Sequence, residues 1–416
     1  MQFELHTKIV INVESSNISE ITTSFLKSLA PVFESLVCSV MLHYRDVYVK
    51  KGMMFGLLGL EKGDNWSWKS MNGYNTIKVN SLFGKITLPN PVVKIKRKDG
   101  SVCSKVLGRK LLSMSRYAQI PDFMKSMIGV LGSLISFRNV EKSMKVFGIF
   151  RISLSSVWRS LQISADRLVI KVLPQEEFQD EILEADGTGI STLHSGKRGS
   201  EAKVLMQRKA GGGLCFLGVK VGKYSNKSDW KSLFTSIKVF FNGLKRLVLV
   251  ADGDQSIMEV FKEISSKKYV FFQRCLWHIP HQIKYMLWKD KATKEQRNEI
   301  LSLTYNAFLL RKTVSIEELA DYISMKLLRI ENLMIRCKAY GLTTCLTFLQ
   351  NAKDHAFVLG RSIKDNHNTS LTERAMRTIK QRTQYAVWSE KGAENVIKIR
   401  LNHFYNDNSI GLYFET

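Results

Sequence analysis

Asp186, Asp252 and Glu373 are spread through the C-terminal two-thirds of the 416-residue chain, each in a setting that suits a cation ligand. Asp186 follows an apolar stretch in Glu-Ala-Asp-Gly-Thr-Gly. Asp252 ends the run Arg246-Leu-Val-Leu-Val-Ala-Asp-Gly. Glu373 lies in Asn-Thr-Ser-Leu-Thr-Glu-Arg, at the start of a basic, helix-like segment. An acid at a strand's end, beside a glycine that lets the chain turn, points oxygen ligands into a cleft. Three such acids can hold two Mg²⁺ ions, or Mn²⁺ in their place, for attack on a phosphodiester. In that arrangement Asp186 bridges both ions, while Asp252 and Glu373 each complete one. Taken singly, each acid also has a plain structural reading, because Asp-Gly is a frequent turn and a first-turn acid complements the helix dipole. Glu184, Asp229 and Asp254 are nearby competitors, and Glu184 shares a strand face with Asp186.

Cys275-Leu-Trp-His278 is a fourth marker. Structural zinc needs four ligands, and only His281 lies close in sequence, so zinc is disfavoured. The expectation is a Cys275 buried behind a sheet and a His278 at the catalytic edge, orienting a carboxylate or contacting a phosphate. The simpler alternative is a satisfied histidine where a strand meets a helix.

These side chains need a scaffold, and the apolar pattern supplies one. Strands are expected to end near Asp186, then at Lys203–Gln207 and Leu214–Val221 around the turn Ala210-Gly-Gly-Gly213. A helix from about Asp229 to Phe241, strand Arg246–Ala251, helix Ser256–Ile264 and strand Tyr269–Gln273 follow. That order matches a ribonuclease H-like α/β fold, in which the first two acids end neighbouring strands. From Pro280 to about Phe357 the pattern is wholly helical, and a polar loop then leads to the Glu373 helix.

Upstream, apolar spacing predicts a helix over Ile18 to about Tyr44, broken at Pro31. Gly63–Asn75 reads as a loop. Thr76–Val79, Lys85–Leu88 and Val92–Arg97 read as a small antiparallel β unit whose last strand is basic on one face. Val140–Leu161 fits a helix-turn-helix with Gly148 in the turn and Met144, Leu154 and Val157 packing between the helices. Ser153 caps the second helix, which offers Ser155, Ser156 and Arg159 to a DNA groove; an ordinary helical hairpin is the alternative.

Composition narrows the class. The chain carries 62 Lys and Arg against 37 Asp and Glu, a formal charge of +25, which points to a polyanionic partner such as nucleic acid. With 44% apolar residues it has the material for real cores, which excludes a disordered chain. Six irregularly spaced cysteines favour reduced thiols over a disulfide framework. No signal peptide or membrane span is evident, so a soluble, cytoplasmic protein is expected.

Asp186-Gly, Asp252-Gly, Cys275-x-x-His278, a helical block and Glu373, taken together, resemble the Mutator-like superfamily of DDE transposases. The tail Arg382-Thr-Gln-Tyr-Ala-Val-Trp388-Ser-Glu-Lys-Gly392 with Arg400, and the upstream Phe83-Gly84, β unit and helix-turn-helix, are similar to its prokaryotic insertion-sequence branch. The likeness covers roughly residues 76 to 400. The pattern divides the chain into an N-terminal region of unknown role (1–75), a β unit (76–106), a helical domain expected to bind DNA (107–175) and a remainder for which the likeness implies a ribonuclease H-like catalytic domain (176–282 and 358–416) interrupted by an all-helical insertion (283–357). The likeness further implies metal-dependent cutting of element ends and joining of the 3′-hydroxyl to target DNA. Asp186, Asp252 and Glu373 are the triad by position, with Cys275 and His278 in support. Lys197, Arg198, Arg374, Arg377 and Arg382 join the helix-turn-helix residues as DNA contacts. Double-stranded DNA is the expected partner, with at least a dimer pairing two ends, in a nucleoid-associated setting. A nuclease without strand transfer and an inactive DNA-binding derivative are the alternatives.

Overall fold

The computed structural model describes residues 18–70, 76–81, 83–112, 114, 120–146, 151–170, 181–193, 199–209, 213–237, 247–264, 270–310, 314–315, 317–358 and 370–406. Two compact units are found, one ending at Ser164 and the other running from Ala165 to Ser409. The expected boundary, near residue 175, lies slightly further along the chain. Among the described residues, no helix is long and apolar enough to cross a membrane.

In the first unit, α1 (Ile18–Lys50) runs unbroken through Pro31. The expected break is absent because Pro31 faces solvent, where water can satisfy the carbonyl that loses its partner. At 33 residues the helix is about 50 Å long, enough to serve two separate cores. Phe33, Val37 and Cys38 pack on the sheet of β2 (Thr76–Ser81) and β3 (Gly84–Pro89). Met41 packs with α2 (Met54–Leu58) and with Val93 and Ile95 of β4 (Val92–Lys96). The predicted single β unit is therefore two sheets. The second sheet has the order β1-β4-β5, with β1 (Asn65–Ser70) lying inside the segment expected as a loop and β5 (Val102–Val106) unpredicted. In β1 the alternation Trp66-Ser-Trp68 puts both indoles toward the Met41 core, a period-2 signal that the flanking Gly and Asn residues obscure. Lys94 and Lys96 of β4 are exposed, so the basic face is present.

After the short α3 (Gly108–Leu111) come α4 (Asp122–Leu134), α5 (Phe137–Val146) and α6 (Leu154–Arg167). Their core holds Ile128, Val140, Met144 and Val157. Gly129 and Gly132 let α4 approach α6 closely: a Cβ on Gly129 would stand 2.6 Å from Ser164 Oγ, and one on Gly132 3.3 Å from Val157. Ser153 caps α6 by accepting from Ser156 N at 3.2 Å. Leu154 is 41% exposed, contrary to the packing role expected of it, because as the first helical residue it precedes the buried stripe that begins at Val157. Gly148 lies outside the described residues.

The second unit is built on one sheet of order β10-β9-β6-β7-β8. Its strands are β6 (Glu181–Ile190), β7 (Ser200–Arg208), β8 (Leu214–Gly222), β9 (Leu247–Ala251) and β10 (Val270–Arg274). The first three form an antiparallel meander, β9 runs parallel to β6, and β10 runs parallel to β9. Strands buried on both faces need apolar residues at consecutive positions, and Leu247-Val-Leu-Val-Ala251 supplies them. Leu183, Ala185, Leu249 and Ala251 face α7 (Lys227–Ile237) and α8 (Gln255–Ile264) through Trp230, Leu233, Val260 and Phe261. On the other face Ile182, Val248 and Val250 meet Ile279, Ile283 and Leu287 of α9 (His278–Lys289).

That second core continues without interruption into α10 (Lys294–Phe308), α11 (Leu319–Ala339) and α12 (Thr343–Asp354), through Ile300, Phe308, Ile330 and Leu349. The helical block then returns along the edge strand: Arg274 N donates to His355 O at 2.8 Å, and Val358 N to Gln273 Oε1 at 2.9 Å. Finally α13 (Ser370–Thr383) lies on β6 and α14 (Glu390–Tyr405) on β8. Between them Trp388 docks beside the end of β6, with Leu193 N donating to its carbonyl at 2.8 Å.

Candidate active site

Parallel pairing of β6 with β9 runs from Glu181↔Leu247 to Ala185↔Ala251, and the next residue on each strand is an aspartate. Asp186 and Asp252 therefore leave the end of that ladder side by side. Asp186 does not end its own strand as expected; β6 continues past it, pairing Asp186 with Val204 of β7. The antiparallel partner is longer than the parallel one, and it carries β6 onward. Asp252 does follow the last residue of β9. Gly253 then turns the chain at φ +93°, where a Cβ would stand 2.6 Å from Arg274 Nε.

Asp252 is held from two sides. Its Oδ1 accepts from Asp254 N at 2.9 Å, and its Oδ2 from Gln282 Nε2 at 3.4 Å. Gln282, on α9, in turn accepts from Arg274 Nη2 at 2.7 Å. The Arg274 guanidinium lies 4.4 Å over the Phe348 ring of α12. Burial pulls the guanidinium down to about 10 while Asp252 opposes that fall. A relay thus runs from the helical block through Arg274 and Gln282 to Asp252.

Glu373 is in the first turn of α13, and its placement depends on Glu184. Glu184 is fully buried and accepts from Arg208 Nε of β7, from Thr372 Oγ1 and, at 3.2 Å, from Thr372 N. An ionised carboxylate at a helix N-terminus is favourably placed for both the free N–H groups and the dipole. Glu184 and Asp186 lie one pleat apart on the same face of β6. The bond to Thr372 therefore brings the neighbouring Glu373 to the face from which Asp186 projects.

His278 opens α9 and completes the group, its Nε2 3.4 Å from Glu373 Oε1. Burial pushes the Asp186 carboxyl up, and Asp252 and, more weakly, Glu373 add to it, against His278 and the Gly187 N–H; the result is about 7. For His278, burial acts downward, but the Cys275 side chain and the Asp186 and Asp252 carboxylates push the imidazole up to about 9. Three acids from β6, β9 and α13 thus feel one another, with an imidazolium among them. Cys275 is fully buried, as expected, but on the α9 side of the sheet and against His278 rather than behind the sheet. Among the described residues, no three His, Cys, Asp or Glu side chains are gathered closely enough to form a metal cluster as they stand.

The basic residues divide into two groups. Arg374, Arg377 and Lys380 are all exposed and form one outward stripe of α13. Arg382 is half-buried and stacks 4.8 Å over the Trp388 ring; burial, then Arg400, lowers it to about 10. On α6, Ser155 and Arg159 are exposed and Ser156 is half-buried beside its cap. Lys197 and Arg198 lie outside the described residues.

Sequence reasoning did not assign Arg274, Gln282, Arg208 and Thr372, and it treated Glu184 only as a rival ligand. Two signals were available: Gln282 follows His278 by four residues, hence on the same helix face, and Arg208 is a charge two residues beyond the apolar run Val204-Leu-Met206. A comparison with known proteins finds no family model that matches this chain and no curated protein similar to it.

Proposed function

We propose that this chain is a DDE-type DNA transposase, related to the Mutator-like group that its motifs resemble, with a ribonuclease H-like catalytic domain. The observation that carries the reading is the convergence of Asp186, Asp252 and Glu373, from three separate elements, at one end of the sheet. The meander followed by two parallel strands, in the order β10-β9-β6-β7-β8, supports it, as does the charge of +25.

The donor set fits a hard divalent cation: three carboxylates, of which Asp186 is raised to about 7 by burial first and then by Asp252 and Glu373. Asp186, Asp252 and Glu373 would hold Mg²⁺. Bound Mg²⁺ supplies polarisation of the phosphodiester and a lowered pKa for the attacking oxygen. The protein's own part is orientation. Gln282 and the Asp254 N–H fix the Asp252 carboxylate, and Glu184 fixes the start of α13. His278, charged at neutral pH, offsets the negative potential and presents its Nε2–H to Glu373. The Arg374, Arg377 and Lys380 stripe suits backbone phosphates, so DNA affinity should fall steeply with salt.

The test is cleavage of a plasmid carrying the DNA that flanks this gene, with Mg²⁺ or Mn²⁺, followed by transfer of a 3′-hydroxyl oligonucleotide end to a second plasmid. Metal-dependent nicking at discrete ends with strand transfer is expected. Nicking without transfer would replace the reading with a nuclease, and tight end-binding without nicking would replace it with a DNA-binding derivative.

A further inference from the structure

The helix that directs His278 and Gln282 at the carboxylates carries a second pattern on its outward side. Trp277, His281, Tyr285 and Trp288 recur at intervals of four, four and three, which places them on one stripe of α9 and its first flanking residue. Trp277 is 44% exposed, Tyr285 68% and Trp288 64%. The Trp277 and His281 rings stand 5.0 Å apart, and Arg297 lies 4.0 Å over the Trp288 ring. Lys284, Lys289 and Lys291 are exposed around them. The helix itself contains no acid, and Asp290 just beyond it turns its carboxylate onto Thr344 N and Cys345 N, at 3.0 and 2.8 Å. Aromatic rings in a row, flanked by cations and with no carboxylate on their own helix, match a strand of exposed bases with its phosphates. A base-paired duplex hides its base faces and offers such rings nothing to stack on.

We propose that this face of α9 is a stacking rail for unpaired nucleotides of the DNA end, adjoining the acidic cluster. The proposal rests on the DNA-cutting reading for its position, but not for its chemistry. Nucleotides freed from their partners at the cut would lie along Trp277 and Tyr285, with Lys284 and Lys289 meeting the backbone.

The test measures binding of the full chain to a fluorescein-labelled single-stranded thymidine oligonucleotide and to a duplex of the same length. Trp277→Ala/Tyr285→Ala should weaken single-strand binding roughly tenfold or more and leave duplex binding within about twofold. Trp277→Phe/Tyr285→Phe should restore most of the loss. Tyr385→Ala, at a site 89% exposed but off the stripe, is the control and should change neither. Unchanged single-strand affinity in the double alanine variant would overturn the proposal. So would an equal loss on duplex, or conversion of a wild-type dimer to monomer by the same variant, which would make the face a self-interface. If wild type never nicks DNA yet the rail variants lose single-strand binding, the transposase reading fails and the rail stands. If nicking occurs with single-strand binding unaltered, only the rail fails.

Discussion

Glu184 and Asp186 leave the same face of β6 one pleat apart, yet their surroundings are opposite. Glu184 is fully buried and bonded to Arg208 and Thr372, so its charge is compensated on every side. Asp186 faces Asp252 and Glu373, and its carboxyl rises to about 7. The first arrangement joins β6, β7 and α13. The second concentrates like charge where a cation could be held, at a cost in stability. The anchor stands beside the repelling group because a helix bearing a negative side chain will not settle against two aspartates unless something else fixes it. Lys203 provides a second instance of compensation, fully buried with Lys223 O at 2.6 Å, Glu201 at 3.2 Å and Asp229 at 3.3 Å. It points to the α7 side, away from the acids.

The contrast can be broken most severely on its functional side. Asp186→Asn, Asp252→Asn and Glu373→Gln should each reduce metal-dependent nicking by roughly a thousandfold or more while DNA affinity holds; cleavage surviving Glu373→Gln would remove Glu373 from the triad. Next comes the anchor. Glu184→Ala removes the carboxylate shared by Arg208 and Thr372 and should cost about 3–5 kcal/mol in urea denaturation, whereas Glu184→Leu with Arg208→Met should cost much less. A small loss for Glu184→Ala would mean that α13 is held by its apolar face alone.

A third experiment sharpens the comparison through pH. The folded Asp186 pKa, about 7, lies above its ordinary value of 3.8, so the native state keeps its proton while the unfolded chain ionises. Stability from this group is present below pH 4 and declines as pH rises to about 7. Asp186→Asn should therefore match wild type near pH 4 and exceed it by about 2 kcal/mol at pH 8, a figure reduced for the partial exposure of the side chain. Mg²⁺ should shrink that advantage by stabilising wild type alone. Identical pH profiles for the two proteins would show that neither burial nor the neighbouring acids raise the Asp186 carboxyl. The smallest effect belongs to the surface pairs: Lys227, bridging Glu259 and Glu263 at 3.3 and 2.6 Å, is solvated and screened. Lys227→Ala should leave the thermal midpoint unchanged within error.

Much of this architecture is legible along the chain. The apolar run before Asp252, the helical spacing from Pro280 onward and the cap at Ser153 are local signals, readable because burial on one face or two imposes a period on neighbouring residues. The prediction fails where the deciding contact is distant. Trp66 and Trp68 form a strand only because β4 lies beside them, and α1 tolerates Pro31 because that turn faces water. Asp186 lies within its strand rather than at its end because β7 outlasts β9.

The candidate site divides along the same line. Residue type and order by themselves determined which groups could do chemistry: two Asp-Gly pairs, a Cys-x-x-His and an acid heading a basic helix. The tertiary structure alone decided that Asp186 and Asp252 end one ladder together, that Glu184 is an anchor rather than a ligand, and that Arg274 reaches Asp252 through Gln282. Local sequence records the preferences of each segment, while pairings across 188 residues, such as Thr372 with Glu184, exist only once packing has brought the segments together.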